Sequence, residues 1–104
     1  MSLSLAALAA PYEIAGDGVT AITGLTEDSR AIEPGFLFVA VSGTADDGHR
    51  YIGDAIARGA AAIAVERGRE APMGVPVVTV PTARHALSVM AARFYGEPAS
   101  GLEI

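Results

Sequence analysis

Apolar positions along the chain fall into short runs, broken by polar, glycine-bearing and proline-bearing stretches. Phe36 to Val41 (FLFVAV) is apolar without a break. Such a strand is buried on both faces and belongs inside an α/β sheet. Pro34 and Gly35 just before it are the pair expected at the centre of a type II turn. Residues 60–65 (AAAIAV) and 75–80 (VPVVTV) read as two more buried strands, with Pro76 tolerated only near the start of its strand. Val19 to Leu25 (VTAITGL) is β-branched enough for a strand, with Gly24 a possible bulge.

Helical spacing marks three further segments. Ser4 is placed to cap a short helix over residues 5–10, which Pro11 ends. Ile52, Ala55, Ile56 and Gly59 share one helix face, with Arg58 in the last turn and Gly59 as the stop. Thr82 is a good N-cap for a last helix whose inner stripe is Ala83, Ala86, Leu87, Met90, Ala91 and Phe94. Gly96 and Pro98 end that helix, and Gly101 to Ile104 (GLEI) reads as the opening of another strand. The expected order is helix, strand, strand, helix, strand, strand, helix, strand. That alternation predicts a small layered α/β domain, a mixed β-sheet flanked by helices, formed by residues 1–104 as one unit. The break at GLEI points to a domain cut from a longer protein.

Composition removes several classes of function. Half of the 104 residues are apolar (51%) and 18% are charged, which fits a packed core and not a disordered chain. The absence of cysteine excludes thiol catalysis, disulfides and thiolate metal sites. Net charge is −5, and the seven basic residues, all arginine, are spread along the chain. This argues against nucleic acid and against an anionic membrane surface as partners. The opening MSLSLAALAAPY has no basic residue before its apolar run, so a first helix is a better reading than a signal peptide. No apolar stretch approaches the ~20 residues needed to span a bilayer. There is no G-x-x-x-x-G-K-[ST] loop and no G-x-G-x-x-G, and His49 and His85 lack ligand spacing.

Two polar clusters flank the strand at 36–41. Asp28, Ser29 and Arg30 could offer a hydroxyl and a guanidinium fork to a phosphate. The commoner role for such residues is a capped turn with a surface ion pair. Thr44 to Gly48 precedes a helix, where free N–H groups favour an anion. Asp46 and Asp47 oppose a bare phosphate there. They could form a magnesium site, although a capping acid is the commoner role. On the residues alone both clusters stay open between turn and site.

The run LTEDSRAIEPGFLFVAVSGTADDGHRYIGDAIARGAAAIAVE resembles the N-terminal domain of the Mur ligases that add the third peptide residue in peptidoglycan synthesis, the MurE type. The pattern is T-x-D-S-R, then P-G-x-L-F-V-A, then G-x-x-x-D-G-H, then A-x-x-x-G-A. The later run VPVVTVPTARHALSVMAARFYGEPASGLEI is similar to the same family. The MurF type, which adds D-Ala-D-Ala, shares the first half, and the R-F-Y ending points to MurE. The resemblance implies an enzyme that joins UDP-N-acetylmuramoyl-L-alanyl-D-glutamate to diaminopimelate or lysine in the cytoplasm, using ATP and magnesium, through an acyl phosphate that the incoming amine attacks. That chemistry would lie in a central P-loop domain and a C-terminal domain, both outside this segment, with no cofactor in the segment itself. The first domain would hold the UDP part of the substrate. By position, Ser29 matches the serine on the UDP moiety, Glu27 a nearby contact, and Thr44, Ala45 and Asp46 the loop that closes on it. Asp28 and Arg30 would fix the turn presenting Ser29. The loop departs from the His-Gln-Ala of some members, and Glu27 replaces an apolar residue, so a backbone contact is the safer inheritance. On this reading the two clusters are walls of one site, and the strand between them is the spacer that sets their separation. The alternative of another class is a free-standing α/β interaction module with no nucleotide site.

Overall fold

The computed structural model describes residues 2–43 and 47–95. Its strands are β1 (Leu3–Ser4), β2 (Glu13–Ala15), β3 (Ala21–Ile22), β4 (Gly24–Thr26), β5 (Phe36–Val39), β6 (Ala62–Glu66) and β7 (Val77–Val80). Its α-helices are α1 (Leu5–Ala9), α2 (Ile52–Ala57) and α3 (Ala83–Tyr95), and short 3-10 turns occupy Ser29–Ala31 and Gly48–Tyr51. Five strands form one sheet in the order β2-β7-β6-β5-β4. From β4 to β7 all neighbours are parallel, and β2 joins the β7 edge antiparallel. A separate two-stranded ribbon pairs β1 with β3. The mixed sheet flanked by helices is the architecture that the alternation of elements predicts.

The central strands are apolar throughout because each face of the sheet is covered. Leu37 and Val39 of β5, Ala62 and Ala64 of β6, and Val78 and Val80 of β7 pack with α1 and α3. Phe38, Ile63, Val65 and Val77, one residue out of step, pack with Ile52 and Ala55 of α2 on the other face. Successive side chains of a strand point to opposite faces, so an unbroken apolar run is what two coverings require. Ala83, Ala86, Met90 and Phe94 are the buried stripe of α3, with Leu87 and Ala91 partly buried beside them.

Several expectations are corrected. Val19 to Leu25 is not one strand: Val19 is 79% exposed, and β3 and β4 belong to different sheets. The chain changes sheet at Thr23, whose amide donates to the Gly35 carbonyl at 3.0 Å. Gly24 is no bulge; a Cβ there would lie 2.6 Å from the Phe36 ring, so the ring covers the bare backbone. β2 and β1 went unpredicted because they are two or three residues long and carry no apolar run. Pro76 precedes β7 and does not lie within it. The type II turn is present, with Phe36 N–H donating to Glu33 at 3.1 Å and Gly35 at φ +93°. Gly96, Pro98 and the expected strand at 101–104 lie outside the described residues.

Candidate substrate site at the carboxyl edge of the sheet

β4 and β5 run parallel, with Thr26 beside Phe38. The chain leaving β4 at Thr26 therefore returns to the opposite edge before β5 begins. Both polar clusters follow the carboxyl ends of their strands, so they stand side by side at one edge. This corrects the expectation that the strand between them acts as a spacer. Their separation is set by the pairing of neighbouring strands, about 4.8 Å apart, and not by the length of β5. In open α/β sheets this edge is where ligands bind.

The first wall is built from its own neighbours in sequence. Asp28 N–H donates to Thr26 Oγ1 at 3.0 Å. Asp28 Oδ1 accepts from the Arg30 amide at 3.0 Å and so caps the turn at Ser29–Ala31. The Arg30 guanidinium grips the same carboxylate as a fork, Nε to Oδ1 and Nη2 to Oδ2, each at 3.1 Å. The Arg30 side chain holds the Asp28 carboxyl below its usual range, and Asp28 raises Arg30 in turn. Ser29 rides on this turn and is 7% exposed. Among the described residues nothing hydrogen-bonds its hydroxyl. Buried hydroxyls are ordinarily satisfied by protein or ordered water, so this one stands out.

The second wall is braced from far away. Ser42 bridges to Asp47, and Gly48 N–H donates to the Val41 carbonyl at 2.8 Å. Asp47 Oδ1 accepts from the His49 amide at 3.0 Å and meets His49 Nδ1 at 2.8 Å. His49 Nε2 accepts from the Glu66 amide at 3.2 Å, so the ring proton sits on Nδ1 and is donated to Asp47. Arg69 Nη2 donates to Asp47 Oδ2 at 2.5 Å and its Nη1 to Ser42 Oγ at 3.3 Å. Ser42 Oγ in turn donates to Glu66 Oε1 at 2.6 Å. The other oxygen, Glu66 Oε2, accepts from the Ala83 amide at 2.9 Å, the first amide of α3. Thr82, the expected N-cap, immediately precedes α3, and its carbonyl accepts from the Ala86 amide at 3.0 Å; the carboxylate serving the Ala83 amide comes from the end of β6. The His49 amide and the Arg69 guanidinium keep the Asp47 carboxyl well below its usual range. The Ser42 hydroxyl, then the Ala83 amide, lowers that of Glu66.

Between the walls lies a cleft of about 530 Å³. Glu27, Asp28, Ser29 and Arg30 line one side, and Val41, Gly43 and Gly48 the other. Tyr51 and Asp54 enter from the start of α2, and Arg84 from the first turn of α3. Asp54 is paired with Arg58 at 3.1 Å. The structure thus brings together four of the anticipated residues. Thr44, Ala45 and Asp46 lie outside the described residues, but Gly43 and Gly48, which bracket them, both line the cleft. Sequence reasoning missed Tyr51, Asp54 and Arg84, and the bracing set of Ser42, His49, Glu66 and Arg69. Asp47 acts as a capping acid, one of the two roles left open for it.

The chain as a whole has known relatives. The family model described as "Mur ligase family, catalytic domain" matches residues 21–95. The chain belongs to the Mur ligase family. It is 43% identical over 100 residues, 96% of its length, to the UDP-N-acetylmuramoyl-L-alanyl-D-glutamate--2,6-diaminopimelate ligase of Geobacter sulfurreducens, covering 20% of that protein. It is 51% identical over 86 residues, 80% of its length, to the protein of the same name from Ectopseudomonas mendocina, covering 18% of it. The chain therefore spans about a fifth of the length of these relatives. The crystal structure of MurF from Acinetobacter baumannii superposes with a TM-score of 0.74 at 24% identity. That match covers 88% of this chain and 21% of the other, and it is a likeness of fold.

Proposed function

We propose that residues 1–104 are the N-terminal, UDP-substrate-binding domain of a MurE-type ligase in the cytoplasm. The full enzyme would add diaminopimelate or lysine to UDP-N-acetylmuramoyl-L-alanyl-D-glutamate. One observation carries the site: Ser29 is buried, lines a cleft at the carboxyl edge, and among the described residues nothing hydrogen-bonds its hydroxyl. In this reading Ser29 and the backbone near Glu27 meet the uridine end, and Thr44, Ala45 and Asp46 close over it. Asp28 and Arg30 hold the turn. The relatives' names support MurE over MurF and favour 2,6-diaminopimelate as the added residue. The MurF likeness, at 24% identity, supports the shared fold.

The segment does no chemistry alone in this reading, although the matching family model carries the words "catalytic domain". ATP and magnesium would be held by the central and C-terminal domains of the longer protein. Among the described residues neither group finds a site. The sequence has no phosphate-cradling P-loop, and among the described residues no three His, Cys, Asp or Glu side chains converge as a metal would need.

The test is a titration of the ¹⁵N-labelled chain with UDP-N-acetylmuramoyl-L-alanyl-D-glutamate. Shifts at Ser29 and at Thr44 to Asp46 are expected; shifts confined elsewhere overturn the assignment. In the same tube, ATP and diaminopimelate should yield no ADP. ADP formation dependent on diaminopimelate would refute the inert-alone reading.

A further inference from the structure

We propose that Arg84 binds the phosphates of a nucleoside diphosphate in this cleft, with the nucleoside end directed towards Ser29. The inference rests on the reading of the cleft as a UDP site and goes beyond it by orienting the ligand. A diphosphate carries at least two negative charges, and a cation within the cleft would bind it by charge-assisted hydrogen bonds. Two arginines line it, Arg30 and Arg84. Both bonds of the Arg30 fork are spent on Asp28, which also offsets its charge. Arg84 is exposed, and among the described residues no hydrogen bond or ion pair engages its guanidinium. Its planar array of donors is therefore free for phosphate oxygens.

Arg84 is nevertheless held in place through its backbone. Its neighbours Ala83 and Ala86 are fully buried, which fixes the rotation of α3 about its axis. The Ala83 amide is tied to Glu66, and Glu66 to Ser42, so the first turn of α3 and the second wall are braced by one network. The charges around the cleft then polarise it. Asp28 is matched by Arg30 and Asp54 by Arg58, which leaves Glu27 as the acid without a cation among the described residues. Glu27 repels a phosphate and accepts from hydroxyl or imide donors. Glu27 and Ser29 follow β4, whereas Arg84 stands on the helix following β7. A ligand with a donor-rich nucleoside at one end and phosphates at the other fits that polarity in one direction.

The experiment compares UDP with uridine on the ¹⁵N-labelled 104-residue chain, wild type and variants, by shift titration. Wild type should bind UDP about tenfold more tightly than uridine, the value of one charge-assisted contact. Arg84→Ala should erase that gap by weakening UDP about tenfold and leaving uridine unchanged, and Arg84→Lys should restore part of it. Equal UDP binding in wild type and Arg84→Ala overturns the proposal while leaving the site intact. Equal loss of UDP and uridine also overturns it, since Arg84 would then act on the fold. If neither ligand moves Ser29 in the wild type, the UDP reading fails and this inference fails with it.

Discussion

The two walls of the cleft do similar work by opposite means. The wall carrying Ser29 is held by contacts two residues apart in sequence, from Thr26 to Asp28 and from Asp28 to Arg30. The wall at residues 42–49 has a local cap of the same kind, Asp47 on the His49 amide, but is also tied to Glu66 and Arg69, 17 to 27 residues away. A local turn forms wherever its few residues are present and needs little from the rest of the fold. A remote brace exists only once β5, β6 and α3 have assembled. Damage should therefore stay confined at the first wall and spread from the second.

The harshest way to break this comparison is Gly48→Ala. A Cβ on Gly48 would lie 2.8 Å from the Val41 nitrogen and 3.0 Å from its carbonyl oxygen, both backbone atoms that cannot rotate aside. The second wall must move and strain its Gly48–Val41 hydrogen bond. We expect a loss of about 1–3 kcal/mol in urea unfolding, the usual cost of forcing extra volume into a packed site. Amide shifts should run from Val41 through His49 and on to Glu66 and Arg69, with Thr26 to Ala31 unmoved. Movement of both walls together would show that they are one unit.

The same contrast explains what could be read from the sequence. The buried strands were legible because a two-sided core demands unbroken apolar runs, as in Phe36–Val41. The first wall was legible because Asp28, Ser29 and Arg30 are both the signal and the structure. The second wall showed its loop but not its brace. Nothing in the spacing of Ser42, Glu66 and Arg69 reveals that they meet; that depends on β5 and β6 lying parallel and adjacent. Strand direction also defeated the spacer reading, because a parallel neighbour brings successive strand ends to the same edge. β2 stayed hidden because an edge strand with the burial pattern exposed, intermediate, exposed carries no core signal.

A milder probe replaces Glu66 by Gln, keeping the shape and removing the charge. At neutral pH the cost should be about 1 kcal/mol, for weakened bonds from Ser42 and from the first amide of α3. The pH dependence is sharper evidence. The carboxyls of Glu66 and Asp47 are both lowered in the folded chain. Their contribution is therefore complete above the unfolded values of about 4.3 and 3.9, and is lost as pH falls through the lower folded values. Urea midpoints should hold steady from pH 7 to 5 and drop towards pH 3, with a shallower drop in Glu66→Gln. A variant curve parallel to wild type would mean that Glu66 does not couple the wall to α3.

The smallest expected effect, and the finest test, is Asp28→Asn. Asn caps a turn about as well as Asp, so the hydrogen bond to the Arg30 amide should survive. What is lost is the ion pair with Arg30, whose side chain is 82% exposed, and such surface pairs add little to stability. The urea midpoint should match wild type within error, and shifted amides should stop at Ala31. Binding should move the other way from most site mutations. Removing the carboxylate frees the Arg30 fork and deletes a negative charge from the cleft, so UDP should bind up to about threefold more tightly while uridine does not change. Weaker UDP binding would show that the charge of Asp28, and not its capping geometry, presents Ser29. The local wall would then depend on an ion pair as the remote wall does, and the contrast between them would narrow to sequence distance alone.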